Sequence, residues 1–291
     1  MNLAGLEMEN LYQELEMDAP FVNTHEDVSY PSGADSVPLH SHTFYEFLCC
    51  RSGSIEYLIG TDRYRVTAGD IIYVPPGVSH RPIFPETMSI PYRRYVLWVS
   101  QAFFDQMAAN WPELWEKAPR SGLLRTAGTE WAFLQDTFRR GCEKAESGAP
   151  GWQMWVYGNT VQLVADMMWA LSPNGPEPPL PEKRELVDHA TLYVETHLAE
   201  KITLEDAAQH LLVSQSTLQQ TFRSKLGVSF YRFVTQRRLI AAKNLILEGQ
   251  PLTSVGEQVG FSDHSTFYRA FQKEYGISPS QFRKLQVREG G

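Results

Sequence analysis

The feature that most constrains this chain is the proline-rich segment Ser172–Pro181, which places five prolines in ten residues. Proline fixes φ and lacks a backbone N–H group, so it interrupts helices and sheet ladders, and runs of it form stiff, extended spacers. The residues before this segment have strand patterns followed by helix patterns, whereas those after it have only helix patterns. The sequence therefore predicts two domains, residues 1–171 and 182–291, joined by a linker at 172–181.

Length and composition limit the class of protein. The chain has 291 residues, of which 43% are hydrophobic, and this is enough for two domains with separate cores. No apolar run approaches the roughly 18 residues of a membrane span, and residues 1–20 are acidic and unlike a secretory signal. We therefore expect a cytoplasmic protein with no membrane partner. Its three cysteines are expected to be reduced and buried, with Cys49 and Cys50 on opposite faces of a strand.

Charge is distributed unevenly between the two predicted domains. The net charge is −8, but residues 1–181 hold 12 Lys and Arg against 22 Asp and Glu, whereas residues 182–291 hold 14 against 12. From Lys201 onward, basic residues outnumber acidic ones by 12 to 7. This asymmetry favours nucleic-acid binding by the C-terminal domain, although ordinary surface charge would explain it equally well.

The N-terminal domain begins with a strand-rich region. Residues 21–100 are rich in Val, Ile, Tyr and Phe, and turn signals such as Gly60-Thr61-Asp62 and Pro75-Pro76-Gly77 recur at short intervals. This spacing predicts a sandwich or a small barrel. Two helices are predicted to follow, at 129–147 and 152–171. The apolar stripe of the second helix either packs on the barrel or forms a dimer contact.

Four side chains that can bind metals or polar ligands lie in this strand-rich region. His40, His42 and Glu46 are separated by even numbers of residues on an apparent strand, so their side chains should point to the same face. His80 follows the Pro75-Pro76-Gly77 turn. The sequence therefore places three of these side chains on one face and offers His80 as a fourth candidate.

The two segments resemble the signature motifs of the cupin superfamily, G-x5-H-x-H-x3-E-x6-G and G-x5-P-x-G-x2-H-x3-N. Ala34 stands at the position of the first glycine and Phe84 at that of the final asparagine. In cupins the histidines and the glutamate bind a metal, so the resemblance implies a divalent metal (Fe, Mn, Ni or Zn) in the barrel. The implied ligands are His40, His42, Glu46 and His80. The alternative is that these residues contact an organic effector directly.

Aromatic residues near the motifs suit the same pocket to a small-molecule effector. A sugar fits because its C–H faces stack on rings while its hydroxyl groups form hydrogen bonds, and other small polar metabolites would fit too. The expected effector contacts are His40, His42, Tyr45, Glu46, His80 and Trp98.

The C-terminal domain contains one helical pattern twice. Thr203 is a predicted N-cap, Leu204–His210 a first helix, and Gln215–Lys225 a second helix that ends before Gly227. Two short helices joined by a tight turn form a helix-turn-helix motif. A second copy follows at a constant offset of 49 residues, which chance would rarely produce. The matched pairs are Thr217/Thr266, Leu218/Phe267, Phe222/Phe271, Gly227/Gly276, Ser229/Ser278 and Phe233/Phe282.

A continuous helix is predicted between the two copies, at Phe230–Leu247. At 1.5 Å per residue its length is roughly 27 Å, close to the ~34 Å between two major-groove entries on one side of B-DNA. One chain could therefore place its two motifs in adjacent major grooves.

This organisation resembles the AraC/XylS family of transcription regulators. The resemblance covers about 100 residues and is most specific in Gly260–Pro279 and the trailing Gln281-Phe282-Arg283. Members typically activate transcription in response to small metabolites, often sugars, and many dimerise through the sensor half. The resemblance therefore implies a sequence-specific regulator of double-stranded DNA that is an activator and a homodimer. RNA polymerase is then an expected partner.

The resemblance also assigns base-reading positions to the second helix of each motif. Glutamine can bridge adenine, arginine can bridge guanine, and threonine offers a hydroxyl or a methyl contact. The assigned residues are Ser216, Gln219 and Gln220 in the first motif and Ser265, Thr266 and Arg269 in the second. The apolar residues of the same helices are expected to be core: Leu218, Phe222, Phe267 and Phe271.

Several further residues of this domain carry weaker expectations. Gly256 stands in mid-helix where the family usually has alanine, at a cost of about 1 kcal/mol in helix propensity, so the second motif is expected to be the less rigid. Five basic side chains are either phosphate contacts or solvated surface charges: Arg223, Arg237, Arg238, Lys243 and Lys273.

Two other classes of protein fit parts of the sequence. A metal-dependent cupin enzyme fused to a DNA-binding domain would use the same four ligands, but the sequence offers no separate acid–base pair outside them. A DNA-binding architectural protein would leave the polar pocket without a purpose. We therefore expect a regulator that is not an enzyme, of the α+β class, with an N-terminal cupin-like β-barrel, flanking helices and an all-α C-terminal domain.

Overall fold

A computed structural model describes residues 22–29, 37, 39–85, 87–112, 122–172, 176 and 185–289. Within these described residues the chain forms two compact units, one up to residue 176 and one from residue 185. The predicted linker lies outside the described residues apart from Ser172 and Pro176, and Ala34 also lies outside them. Within the described ranges, no helix has both the length and the apolar character to cross a membrane.

The N-terminal unit contains two antiparallel sheets whose inner faces share one hydrophobic core. The larger sheet has the strand order β1-β7-β2-β5-β8 and the smaller one β4-β3-β6. This arrangement agrees with the predicted strand-rich cupin-like region. The strands are β1 (Val22–Ser29), β2 (Tyr45–Ser52), β3 (Ser54–Ile59), β4 (Asp62–Thr67), β5 (Asp70–Val74), β6 (His80–Ile83), β7 (Tyr92–Val99) and β8 (Gly122–Arg125).

Successive side chains of the larger sheet face opposite sides, as β geometry requires. On β7, Val96 and Trp98 face the core between the sheets, whereas Leu97 faces the core on the outer side. On β2, Cys49 packs on the outer side and Cys50 on the inner side. All three cysteines are buried and free, which confirms the prediction.

Three helices pack on the outer face of the larger sheet and complete a second core. They are α1 (Gln101–Asn110), α2 (Phe133–Ser147) and α3 (Trp152–Leu171), and a 3-10 turn at Glu130–Ala132 leads into α2. The predicted bounds of α2 and α3 agree closely with these. The sequence patterns missed α1 and the four-residue strand β8, both of which are short.

The faces of α3 have different environments. Val156, Leu163 and Met167 of the predicted apolar stripe are buried, so this face packs on the sheet unit. Trp155 and Trp169 lie on another face and are 38% and 51% exposed. The helix therefore retains an exposed apolar surface after it has packed.

The C-terminal unit is entirely helical within its described residues, and each motif has the predicted pair of helices. The first motif is α5–α6, the second is α8–α9, and α7 joins them. The helices are α4 (Leu186–Thr196), α5 (Leu204–His210), α6 (Gln215–Thr221), α7 (Phe230–Leu247), α8 (Leu252–Gln258), α9 (His264–Tyr275) and α10 (Pro279–Glu289). A π-turn at Phe222–Leu226 continues α6, whereas α9 is α-helical to its end.

Both recognition helices, α6 and α9, begin with a side-chain cap and end at a glycine. The Ser214 hydroxyl accepts the N–H of Thr217, and the Asp263 carboxylate accepts the N–H of Thr266. Gly227 and Gly276 then adopt φ values of 70° and 71°, the left-handed conformation that ends many helices.

The expected core of the two motifs is confirmed. Leu218, Phe222, Phe267 and Phe271 are all fully buried. A Cβ atom added to Gly256 would lie 2.9 Å from Phe267 Cβ and 3.0 Å from its Cγ. The glycine therefore permits α8 and α9 to approach closely, which explains a residue that helix propensity alone disfavours.

Candidate functional site

The N-terminal unit contains a buried cluster of two imidazoles and one carboxylate, here called the His–Glu cluster. His42, Glu46 and His80 offer ligand atoms that all lie within 4.8 Å of one another. Glu46 Oε2 is 3.1 Å from His80 Nε2 and 3.6 Å from His42 Nε2. The structure thus brings together three of the four residues implied as metal ligands.

Contrary to the prediction from the sequence, the backbone does not hold His40, His42 and Glu46 on one strand. Strand β2 begins at Tyr45, so strand parity does not align His40 and His42 with Glu46. Instead, the backbone of His40 forms an isolated antiparallel bridge with His80, through N–H to O distances of 3.2 and 2.9 Å. This bridge ties the segment before β2 to the start of β6, where His80 lies.

Hydrogen bonds orient both imidazoles of the cluster. His42 Nδ1 lies 2.7 Å from the carbonyl oxygen of Phe44, and His80 Nδ1 lies 2.9 Å from that of Val78. A carbonyl can only accept, so each Nδ1 carries the hydrogen and the neutral ring keeps a lone pair on Nε2. The same carbonyl-to-histidine contact orients histidines that bind metals in proteins.

The remaining atoms of the cluster fit a divalent cation. Within the described residues, His42 Nε2, His80 Nε2 and Glu46 Oε2 are buried without a hydrogen-bond partner. Two imidazole nitrogens and a carboxylate oxygen are donors that Fe, Mn, Ni and Zn accept. A bound ion would act as a Lewis acid or as an anchor for an oxygen of the effector.

Burial and neighbouring charges shift the ionisation of the cluster. Burial lowers the pKa of His42, because the charged imidazolium loses its hydration. Burial also acts to raise the pKa of Glu46, but hydrogen bonds and charge from the two imidazoles, when these carry a proton on Nε2, outweigh burial and lower that pKa well below its ordinary value.

Trp98 and Phe44 hold the cluster from two sides. Trp98 Nε1 donates a hydrogen bond of 2.8 Å to Glu46 Oε1, which leaves Oε2 facing the imidazoles. The ring of Phe44 stacks on that of His42 with centroids 4.0 Å apart. His25 packs edge-on against Trp98 at 5.1 Å. Trp98 was expected from the sequence, whereas the stacking of Phe44 and His25 carries no recognisable spacing signal.

Two of the residues expected to contact the effector lie outside the His–Glu cluster. The ring of His40 is 4.3 Å from that of His80 between centroids, so it neighbours the cluster without belonging to the three-residue group. Tyr45 stacks on Phe104 of α1 at 3.6 Å and packs with the outer core. The structure therefore does not bring Tyr45 to the cluster, because its side chain alternates with that of Glu46 along β2.

The recognition helices present polar side chains to solvent. Ser216, Gln220, Ser265 and Arg269 are exposed, and Gln219 is half-buried. Exposed side chains on one helix of each motif are what major-groove reading requires.

Thr266 is engaged within its own helix. Its hydroxyl donates a hydrogen bond of 2.7 Å to Asp263 Oδ2, beside the backbone bond that caps α9. A base contact through this hydroxyl would compete with the cap, whereas its methyl group would not.

Three of the five basic candidates for phosphate contacts have partners inside the domain. Arg237 pairs with Glu195, and Arg238 donates to the carbonyl oxygens of Leu198 and Glu200. Lys243 is buried, with its amino group 5.0 Å from the centroid of the Tyr275 ring. Arg223 and Lys273 are exposed.

Comparison with known proteins identifies both units. A cupin domain family matches residues 27–97, and a helix-turn-helix domain family matches residues 207–285. The arabinose operon regulatory protein of Escherichia coli is 29% identical over 218 residues, covering 74% of this chain and 72% of its own length. The transcriptional activator RhaS of Escherichia fergusonii is 22% identical over 267 residues, covering 87% and 89%.

A solved structure also matches the C-terminal unit. The C-terminal domain of AraT, a response regulator from Geobacillus stearothermophilus, is 32% identical and covers 36% of this chain and 88% of its own, with a TM-score of 0.35.

A cupin-type sheet unit joined to a double helix-turn-helix unit defines a DNA-binding transcriptional regulator. The chain has a helix-turn-helix domain of the AraC type, and its relatives include AraC- and RhaS-type transcriptional regulators.

Proposed function

We propose that the chain is a transcription activator that binds an operator through both recognition helices and responds to a small-molecule effector at the His–Glu cluster. A sugar is the favoured effector class. The main observation behind this proposal is that, among the described residues, three polar atoms of the cluster are buried without hydrogen-bond partners. The cluster lies in a unit that the chain links to a DNA-binding domain. Buried polar atoms without partners are costly, and a ligand that pairs with them removes that cost.

The matched positions of the two motifs support DNA reading through both. Gln220 and Arg269 correspond at the offset of 49 residues, and both are exposed. Their amide and guanidinium groups suit adenine and guanine respectively. The proposed base-reading set is Ser216, Gln219, Gln220, Ser265, Thr266 and Arg269. The DNA partner also favours a cytoplasmic location.

The sugar assignment draws on relatives and on local chemistry. One relative is named for an arabinose operon, and another is named a transcriptional activator. The indole of Trp98 and the ring of Phe44 border the cluster and give it an aromatic lining, which suits the C–H groups of a sugar. His40, His42, Glu46 and His80 provide the polar contacts, directly or through a divalent metal.

A thermal-shift screen of the full chain against sugars and divalent metals tests the effector site. A ligand at one hundred times its Kd stabilises the folded protein by about 2.7 kcal/mol. We expect a sugar to raise the melting temperature of wild type but not of Glu46→Gln. His189→Gln is the control, because His189 is an exposed histidine of the DNA-binding unit, whereas His25 contacts Trp98.

The same samples separate a regulator from an enzyme. A regulator returns its ligand unchanged and alters its affinity for DNA, whereas a cupin enzyme converts the ligand. Elemental analysis of untagged protein then decides between a metal and direct effector contacts. If no sugar or metal shifted the melting temperature, or if Glu46→Gln responded like wild type, the assignment of the cluster would fall.

We also propose that the chain is a homodimer through the exposed face of α3. Trp155, Gly158 and Trp169 share one helical face, and tryptophan is enriched in protein interfaces. The glycine gives a second helix room to approach. Trp169→Glu should convert the full chain to a monomer in sedimentation equilibrium without lowering its melting temperature at low concentration. A wild-type monomer, or an unchanged dimer in the variant, would contradict this.

A further inference from the structure

Two adjacent arginines of α7 are bonded to the C-terminal end of α4. Arg237 forms a two-point contact with Glu195, in which Nη2 lies 2.7 Å from Oε2. Arg238 donates from Nε to the carbonyl of Leu198 at 3.0 Å and from Nη2 to the carbonyl of Glu200 at 2.6 Å. Leu198 and Glu200 lie just beyond α4, so their carbonyls are outside its hydrogen-bonded ladder and can accept from a guanidinium.

The turn of the second motif lies close to the same carbonyl of Leu198 and to Arg238. Gly260 lies between α8 and α9 with φ of 91°. A Cβ atom at this position would lie 2.4 Å from the Leu198 carbonyl oxygen and 2.8 Å from Arg238 Nη2. Only glycine permits both the backbone conformation and this approach.

The close approach of Gly260 to Leu198 joins the second motif to the segment after α4, beside Arg238 of α7. Helix α4 packs against both helices of the first motif, and its C-terminal end contacts the turn that precedes α9. Helix α7 joins the two motifs and shares a hydrophobic core with the second one through Leu239, Ala242 and Ile246. The contact at Gly260 adds a second connection, between the second motif and the segment that precedes the first.

We propose that Leu198, Glu200, Arg238 and Gly260 form a brace that sets the angle between the two recognition helices. Arg238 and Gly260 are then positioning residues for DNA reading, and Arg238 is not a phosphate contact. The functional part of this inference rests on the proposed reading of DNA through both helices. The brace allows a fixed spacing between the two base-reading elements of an operator.

Distance measurement between spin labels tests the brace without DNA. Labels at Glu205→Cys on α5 and Glu257→Cys on α8 report the separation of the motifs, in full-length chain diluted with unlabelled protein. Burial raises the pKa of the native thiols, that of Cys142 to about 11, so they react slowly with the label. We expect one narrow distance distribution in wild type and a broadened one in Arg238→Met, which keeps the aliphatic stem but not the hydrogen bonds.

Binding to spacing variants tests the consequence. Duplexes that the wild-type chain selects from a random library are compared with the same duplexes carrying one inserted base pair between the two elements. We expect about a tenfold loss of affinity in wild type, similar to a mismatch of about 1.4 kcal/mol, and less than about threefold loss in Arg238→Met. Arg223→Met, an exposed arginine of the first motif, should lower both affinities equally.

The outcomes separate the two claims. An unchanged distance distribution in Arg238→Met overturns the brace. If wild type selects no duplex, the proposed DNA reading fails, while the spin-label result still decides the brace. If Arg238→Met does not melt cooperatively, Arg238→Lys takes its place, because it keeps the charge and one donor, and the same two criteria apply to it.

Discussion

The two helix-turn-helix motifs fill the same position of their cores with different pairs of residues. At the offset of 49, Ala207 and Leu218 of the first motif correspond to Gly256 and Phe267 of the second. All four residues are buried. Compared with the first motif, the second has a larger side chain at one position and a smaller residue at the other. A Cβ at position 256 would not fit beside Phe267. The repeat therefore preserves shape and combined volume rather than the individual residues.

The first test replaces a residue of the second motif's pair with its counterpart in the first motif. Gly256→Ala gains about 1 kcal/mol in helix propensity, but overpacking against Phe267 costs about 1–3 kcal/mol. We expect a net loss of stability in urea unfolding. Adding Phe267→Leu should restore most of it. Stability above wild type in the single variant would show that the contact is not tight.

Base reading should differ between the matched recognition positions. Arg269→Ala should cost about 1–3 kcal/mol of binding and relax specificity at a guanine. Gln220→Ala should relax specificity at an adenine in the other half of the site. Quantitative binding to single-base variants of a selected duplex measures both. If Arg269→Ala bound like wild type at every salt concentration, the assignment of base-reading residues would be wrong.

The N-caps of the two recognition helices offer a smaller effect. Ser214 and Asp263 also correspond at the offset of 49, and each accepts the N–H three residues on. Ser214→Ala should cost about 0.5–2 kcal/mol of folding free energy, because the N–H of Thr217 loses its partner. Ser214→Asp should be tolerated, since aspartate caps the matched helix. Equal melting temperatures for wild type and Ser214→Ala would contradict a capping role.

The smallest effect is a pH dependence confined to the second motif. Hydrogen bonds from the hydroxyl and N–H of Thr266 lower the pKa of Asp263 below its ordinary value of 3.8. A depressed carboxyl pKa contributes stability above the unfolded pKa, and that stability is lost as pH falls through the folded pKa. The protection of α9 amides against hydrogen exchange, relative to the intrinsic rate at each pH, should therefore fall below about pH 4, and Asp263→Asn should remove this dependence. Exchange of α6, capped by a serine, should lack it.

The periodicity of apolar residues predicted helix bounds well where one regular pattern ran through the whole helix. The bounds of α3, α5 and α7 were predicted as observed, because α3 and α7 bury apolar residues at helical spacing and α5 begins at the cap Thr203. The core role of Phe267 and Phe271 followed from the same patterns. The fold class was likewise predictable from the order of strands and helices.

The rest depended on contacts distant in sequence. Strand parity predicted that His40 would share a face with Glu46, but the strand begins only at Tyr45 and a bridge to His80 sets the geometry instead. In the sequence, Arg238 looks like a phosphate contact. Only the fold shows that its guanidinium is hydrogen-bonded to the carbonyl of Leu198, just after α4. The need for glycine at position 256 became apparent only with Phe267 beside it.

The tight fit of Gly256 against Phe267 also restricts how such a duplicated motif can change during evolution. A lineage that exchanges an alanine–leucine pair for a glycine–phenylalanine pair must pass through one of two single substitutions. Phenylalanine first would crowd the alanine, whereas glycine first leaves only a small cavity. Selection for stability therefore favours one order of mutations, with the glycine fixed before the phenylalanine. Once both are present, neither reverts alone without a penalty, so the two copies drift apart in sequence while their shape is retained.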